Sequence, residues 1–162
     1  LRQHGEYFAA LLQLAAMRRP DVEFIMIDSA NRTRSPYRGI GLAVRGGNVT
    51  RYQFEHLEPD LEMLAGLDAL VSTRLHVPMV CLTYGVPAAS VFGEGKTRLL
   101  FDSLGFSEHC YRHSRMAEWA KVMLARDGWE RWIEGYRLPP VDELRQASRG
   151  HLRVLAEEVN SG

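Results

Sequence analysis

Residues 68–106 read DALVSTRLHVPMVCLTYGVPAASVFGEGKTRLLFDSLGF. The run Leu67 to Ser72 is short, apolar and flanked by turn residues, which marks a buried strand. Arg74 to Tyr84 is mostly apolar, too long for such a strand, and stops at Gly85, which suits a buried helix with a glycine stop. Pro78 is tolerable in that helix only within its first turn, where its missing N–H has no intrahelical acceptor. Val86 to Phe92 is the next strand, and Lys96 to Leu104 is a helix ended by Gly105. Connections this long do not make hairpins, so alternating strands and helices point to a parallel sheet covered by helices, an α/β class.

The pattern extends in both directions. Towards the start, Phe8, Leu11, Leu12, Ala15 and Ala16 fall at helical spacing and predict a helix over about 3–18, stopped by Pro20 and Asp21. The apolar run at Val22, Phe24, Ile25, Met26 and Ile27 predicts a strand buried on both faces. Ala30 to Gly47 is polar, rich in Gly and Arg, and reads as a long loop. Asn48 to Glu55 alternates as a further strand, and Leu57 to Leu67 carries apolar residues for about three helical turns. Beyond residue 106, Tyr111 begins a short strand. The region from about 114 to 160 holds three closing helices, Met116 to Ala125, Trp129 to Tyr136 and Val141 to Val159, with Pro139-Pro140 before the last. A single domain over 1–162 is the expectation.

Composition removes several function classes. The chain has 162 residues with 20 Lys plus Arg and 20 Asp plus Glu, so its formal net charge is zero. That balance gives no global electrostatic case for nucleic acid. Its two cysteines, Cys81 and Cys110, lack CxxC spacing, so neither a disulfide scaffold nor a structural zinc site is indicated, and a reduced, intracellular setting fits. No apolar run reaches the length of a membrane span, and no secretory pattern opens the chain. It begins at Leu1 without Met, so a piece of something larger is expected.

In an open parallel sheet, ligands bind outside the carboxyl ends of the strands. Those ends carry Asp28, Ser29 and Asn31, then Glu55 and His56, then Ser72 to His76, then Gly93 to Lys96. Ser72 or Thr73 is placed to cap the following helix, whose free N–H groups favour an anion. Arg74 adds a planar fork for phosphate or carboxylate. His76 is an imidazole able to donate to an anion or move a proton. A purely structural reading pairs Arg74 with an acid and packs His76 against a carbonyl. Gly93-Glu94-Gly95-Lys96 lets backbone N–H groups approach a phosphate and supplies a point charge. Ser90 stands where a Walker A loop needs its first glycine, so this loop also reads as a tight turn with a solvated lysine. His109, Cys110, Tyr111 and His113 lack a third ligand at a recognised metal spacing and read as a surface loop. Trp119, Trp129 and Trp132 read as core or an interdomain surface rather than a sugar platform.

The stretch 68–106 resembles the carboxyl-terminal half of polysaccharide pyruvyl transferases. The matching pieces are Thr73-Arg74-Leu75-His76, Gly85-Val86-Pro87, Lys96 and Leu104-Gly105-Phe106, in that order and spacing. The resemblance implies a Rossmann-like parallel sheet flanked by helices, forming one half of a GT-B-like two-domain architecture. It implies transfer of pyruvate from phosphoenolpyruvate onto two sugar hydroxyls as a cyclic ketal, in the cytoplasm, with membrane association through glycan assembly. Arg74 and His76 are then the catalytic residues. Ser72, Thr73, Leu75, Gly93, Gly95 and Lys96 line the donor site, with no metal and no cofactor beyond the donor. The implied partners are a small-molecule donor, a glycan acceptor and a missing amino-terminal domain. Val77-Pro78 departs from the small residue usual after the histidine, and Glu94 sets a negative charge near an anionic donor. Two alternatives stand beside it: a GT-B glycosyltransferase domain binding a nucleotide sugar, with Glu94 or Asp102 on the ribose, and a non-catalytic relative that keeps the fold.

Overall fold

The computed structural model describes residues 2–28, 44–92 and 95–138, with 140 and 142. The helix predicted at the start is α1 (Arg2–Arg18). It is followed by β1 (Phe24–Asp28) and β2 (Val49–Gln53). Next come α2 (Leu57–Ala65), β3 (Leu70–Ser72), α3 (His76–Thr83) and β4 (Ala88–Val91). The described chain closes with α4 (Lys96–Ser103), β5 (Cys110–Tyr111), α5 (Met116–Leu124) and α6 (Gly128–Glu134). The loop expected at 30–47 lies outside the described residues up to 43, as does most of the last helix expected at 141–159.

All strand pairs are parallel, in one sheet of order β1–β2 and another of order β3–β4–β5. Side chains alternate across β4, because successive Cβ atoms point to opposite faces. Ala89 and Val91 join α1 and α5 through Phe8, Leu12, Trp119 and Met123. Ala88 faces the other way, with Cys81 of α3, Phe101 of α4 and Leu64 of α2. The structure is therefore mixed α/β, with small parallel sheets flanked by helices on both faces.

Several details differ from the periodicity. β3 begins at Leu70 rather than Leu67, because the Leu67 N–H still closes the end of α2 on the Leu64 carbonyl and the ladder starts where the Leu70 N–H donates to Pro87 O. α3 begins at His76 rather than Arg74, because residues 72–75 form a turn tied by the Arg74 N–H donating to Ser72 Oγ at 2.9 Å. Pro78 is then the third helical residue, where its missing N–H costs no helical bond. Finally, β1 is less covered than expected. Phe24 is buried, but Ile25, Met26 and Ile27 are half-buried, since neighbouring β2 is itself exposed at Thr50 and Arg51. Gly85 and Gly105 end α3 and α4 at φ 79° and 73°, the left-handed stop that favours glycine.

The end of α1 is satisfied by side chains. Asn48 Nδ2 donates to the carbonyls of Ala16, Arg19 and Val22 at 3.1, 2.9 and 2.9 Å. Arg19, 8% exposed, donates to Asp21 at 2.7 Å and to Glu130 of α6 at 2.5 Å. Both carboxylates hold the Arg19 guanidinium above its ordinary range through hydrogen bonds, against the cost of burial. No helix among the described residues is long and apolar enough to cross a membrane.

Candidate functional site

Parallel pairing brings the carboxyl ends of β3 and β4 together. Ser72 is in register with Ser90, and paired strands run about 4.8 Å apart. The Ser72–His76 turn and Phe92 therefore stand at neighbouring strand ends. Arg74 and His76 are exposed, Thr73 and Leu75 half-buried, and Gly95 and Lys96 exposed. Gly93 and Glu94 lie outside the described residues. Among the described residues, no ion pair engages Arg74, His76 or Lys96. The competing expectation of an acid paired with Arg74 is thus not met there.

The expected cap is corrected. Leu75 is the N-cap of α3, with no side-chain cap bond. Ser72 Oγ instead accepts from the Arg74 N–H and donates to the Arg74 carbonyl at 3.3 Å, a local turn that competes with helix capping. Its effect is to fix the backbone of Arg74 while leaving the guanidinium in solvent.

Phe92 closes β4 with φ 56°. A non-glycine residue there costs on the order of 1–3 kcal/mol and persists only where its surroundings hold it. The Phe92 N–H donates to Tyr111 O at 2.9 Å. Its ring stacks on His113 at 6.4 Å and 27°, and meets Phe8 edge-on at 5.9 Å. His113 is exposed and follows the end of β5, so pairing of β5 with β4 brings it to the same edge. In sequence it reads only as part of a loop with His109 and Cys110, and no spacing signal connects it to Gly93–Lys96.

The other strand ends are occupied differently. Ser29 and Asn31 lie outside the described residues. The Glu55 and His56 N–H groups donate to Asp60 Oδ2 at 3.0 and 3.1 Å, so this turn is tied to α2 by its own first-turn acid. Asp102 accepts from Arg98 and Ser107 at 3.2 and 2.7 Å, which engages the acid expected on a ribose. A cleft of about 270 Å³ beside β5 is lined by Arg98, Asp102, Ser107, Glu108 and Arg112 among others. It does not include the Ser72–His76 turn. Arg98 and Asp102 in it neutralise one another, whereas Arg74 and Lys96 have no ion-pair partner among the described residues.

The surface loop expected at His109–Tyr111 is corrected too. His109, Cys110 and Tyr111 are buried, because Cys110–Tyr111 pairs with β4 and turns one side chain to each core. His109 stacks on Tyr136 at 4.0 Å, and Tyr136 Oη donates to Ala88 O at 2.8 Å. Burial pushes the Tyr136 phenol up to about 12. Cys81 and Cys110 are both buried and are not joined in a disulfide, and burial pushes the Cys81 thiol up to about 12, which leaves it protonated and inert. Among the described residues, no group of three or more His, Cys, Asp or Glu is placed to hold a metal ion.

Burial holds the His109 imidazole below the ordinary histidine range, opposed by the charge of Glu108 and reinforced by Arg115. Its Nδ1 has no hydrogen-bond partner among the described residues, so the folded state favours the neutral ring. The unfolded chain takes up this proton near pH 6.5. Stability should therefore fall as the pH drops below about 6.5, and stop falling for this reason once the folded imidazole protonates as well. Exposed carboxylates titrate lower, near pH 4, so the two ranges separate. His109→Phe keeps the stacking and should flatten the melting temperature between about pH 6.5 and 5; an unchanged slope there would show that His109 is not the group responsible.

Compared with known family models, curated proteins and solved structures, the chain has no match.

Proposed function

We propose that this chain is the donor-binding part of a polysaccharide pyruvyl transferase. The observation that carries the reading is the exposed guanidinium of Arg74 on the connection leaving β3, engaged by no ion pair among the described residues, with His76 opening α3 and Lys96 opening α4. Phosphoenolpyruvate carries a carboxylate and a phosphate, and a cationic strand-end surface suits both. Parallel strands with helices on both faces support a Rossmann-like half of a GT-B-like architecture, facing an amino-terminal domain across a cleft. The acceptor is a glycan, and the location is the cytoplasm, near the membrane where glycans are assembled.

The chemistry assigns balanced roles. A proton adds to the donor methylene carbon and leaves C2 electron-poor. A sugar hydroxyl bonds to C2 and loses its proton. The C2–O bond to phosphate breaks, a second hydroxyl bonds to C2 and loses its proton to close the ketal, and phosphate departs carrying that proton as hydrogen phosphate. Arg74 holds the anion. His76 supplies the first proton or stabilises the departing phosphate, which are both tasks for an imidazole at this position.

Arg74→Ala tests the reading. A charge-assisted hydrogen bond is worth about 1.5–3 kcal/mol, so phosphoenolpyruvate affinity should fall about ten- to hundredfold by calorimetric titration. The melting temperature should stay within a few degrees, since the side chain touches no core. Binding of nucleoside diphosphates but not phosphoenolpyruvate would replace the reading with a nucleotide-sugar domain, which the engagement of Asp102 disfavours. Donor binding with no turnover once the amino-terminal half is supplied would point to a non-catalytic relative.

A further inference from the structure

We infer that the cleft beside β5 is a second ligand site, which takes a small phosphate-bearing molecule between Arg98, Arg112 and Arg115. These three guanidinium groups line one space of about 270 Å³. They come from separate segments: Arg98 from α4, Arg112 from the end of β5, and Arg115 from the residue before α5. Two carboxylates, Asp102 and Glu108, line the same space, so its walls carry more positive groups than negative ones. A concave surface with that excess draws an anion. A carboxylate is planar and is satisfied by one guanidinium fork, whereas phosphate oxygens spread in several directions and can be shared between cations from different segments. The volume lies just under the range of drug-sized pockets, so the occupant is small. The Arg74 turn does not line the cleft, so the inference stands whether or not the donor reading does.

The walls are held in place by their own bonds. Asp102 accepts from Arg98 Nε at 3.2 Å and from Ser107 Oγ at 2.7 Å, which ties α4 to the segment that follows it. Arg115 donates twice to Glu118, at 3.0 and 2.7 Å, and once to the Ser107 carbonyl at 3.4 Å. Its guanidinium also lies 5.1 Å from the Tyr111 ring centre. Side chains fixed in this way lose little rotamer entropy when a ligand arrives. The Ser107 hydrogen bond, with the charges of Arg98 and Arg112, holds the Asp102 carboxyl below its ordinary range, so the charge of Arg112 is felt inside the cleft. Arg112 is half-buried and makes no ion pair among the described residues. A partly desolvated cation attracts an anion more strongly than one in open water. Arg98 meets Asp102 through Nε, which leaves its two Nη groups for the ligand. Glu108 stands 3.7 Å from the His109 ring and opposes an anion, which gives its removal a definite sign.

The test uses the full 162-residue chain carrying Arg74→Ala, so that the strand-end site is silent, and titrates it calorimetrically with inorganic phosphate and with acetate. Phosphate should still bind, and more tightly than acetate. Adding Arg112→Ala should weaken phosphate at least about tenfold, the size of one charge-assisted hydrogen bond. Adding Glu108→Gln instead should strengthen it about two- to fivefold, the effect of removing one exposed charge. A gain of affinity cannot come from a damaged fold, so this second variant keeps the test decisive if Arg112→Ala unfolds. Loss of all phosphate binding in the Arg74→Ala chain overturns the inference, and so does weaker binding after Glu108→Gln or unchanged binding in a folded Arg112→Ala variant. Acetate bound as tightly as phosphate overturns the assignment to phosphate. The donor reading fails separately, when phosphoenolpyruvate binds the unmutated and Arg74→Ala chains equally well; the cleft then still answers to Arg112→Ala and Glu108→Gln.

Discussion

Trp119→Ala should be among the most damaging single changes to this fold, costing about 3–5 kcal/mol. Trp119 is fully buried. Its indole lies 4.9 Å from Tyr111 and 5.5 Å from each of Trp129 and Trp132, ring centre to ring centre. It therefore joins α5 to β5 and to α6, and alanine leaves a hole bounded by rigid rings that collapse poorly. For a chain of this size each kcal/mol shifts the melting temperature by about 2–4 °C, so a fall of roughly 6–20 °C is expected. Domains of ordinary stability have about 5–15 kcal/mol in total, which makes this a large share. Trp119 Nε1 has no hydrogen-bond partner among the described residues, so Trp119→Phe removes an unsatisfied donor along with some volume. It should cost clearly less, about 1–2 kcal/mol. Thermal melts of the two variants check the pair. An alanine variant within about 1 kcal/mol of the parent would mean that the tryptophan cluster is not a packed core.

Gly128→Ala should be nearly as costly, for a steric reason. Gly128 opens α6, and its conformation is not left-handed, so backbone freedom is not what requires glycine here. A Cβ at this position would lie 2.1 Å from the Val122 carbonyl oxygen and 3.1 Å from Ala125 Cβ. α5 and α6 must separate to admit one methyl group, and overpacking of this kind costs about 1–3 kcal/mol and occasionally more. Because the obstacle is backbone, the upper part of that range is expected, about 3 kcal/mol. Gly66→Ala is the matched control. Gly66 follows α2 at φ −86°, and a Cβ there meets only carbonyl oxygens at 3.6 Å, so alanine should be neutral or stabilise by up to about 1 kcal/mol. Equal effects at both glycines would remove the steric explanation.

These two sites also show how far the sequence reaches. Phe8, Leu11, Leu12, Ala15 and Ala16 announce α1 because burial of one helical face imposes its period on the chain. The tryptophans read as core because residues of that size at closing-helix positions have few other destinations. Nothing in the sequence marks Gly128 as a contact, since its constraint comes from a carbonyl on the preceding helix. His109 misleads for the same reason. Polar neighbours give the segment the look of a surface loop, yet edge pairing with β4 carries it inside.

The amino-acid sequence by itself determines the alternation of strands and helices, the glycine stops at Gly85 and Gly105, and the presence of Arg74, His76 and Lys96 at strand ends. Each is a local property, fixed by hydrophobic period or by the backbone preference of one residue. Only the tertiary structure decides which strand ends are neighbours, where α3 starts once the Ser72 turn has formed, and that His113 stands beside Phe92. Those facts depend on strand order and register, which are set by packing between residues far apart in the chain, and no local pattern encodes them.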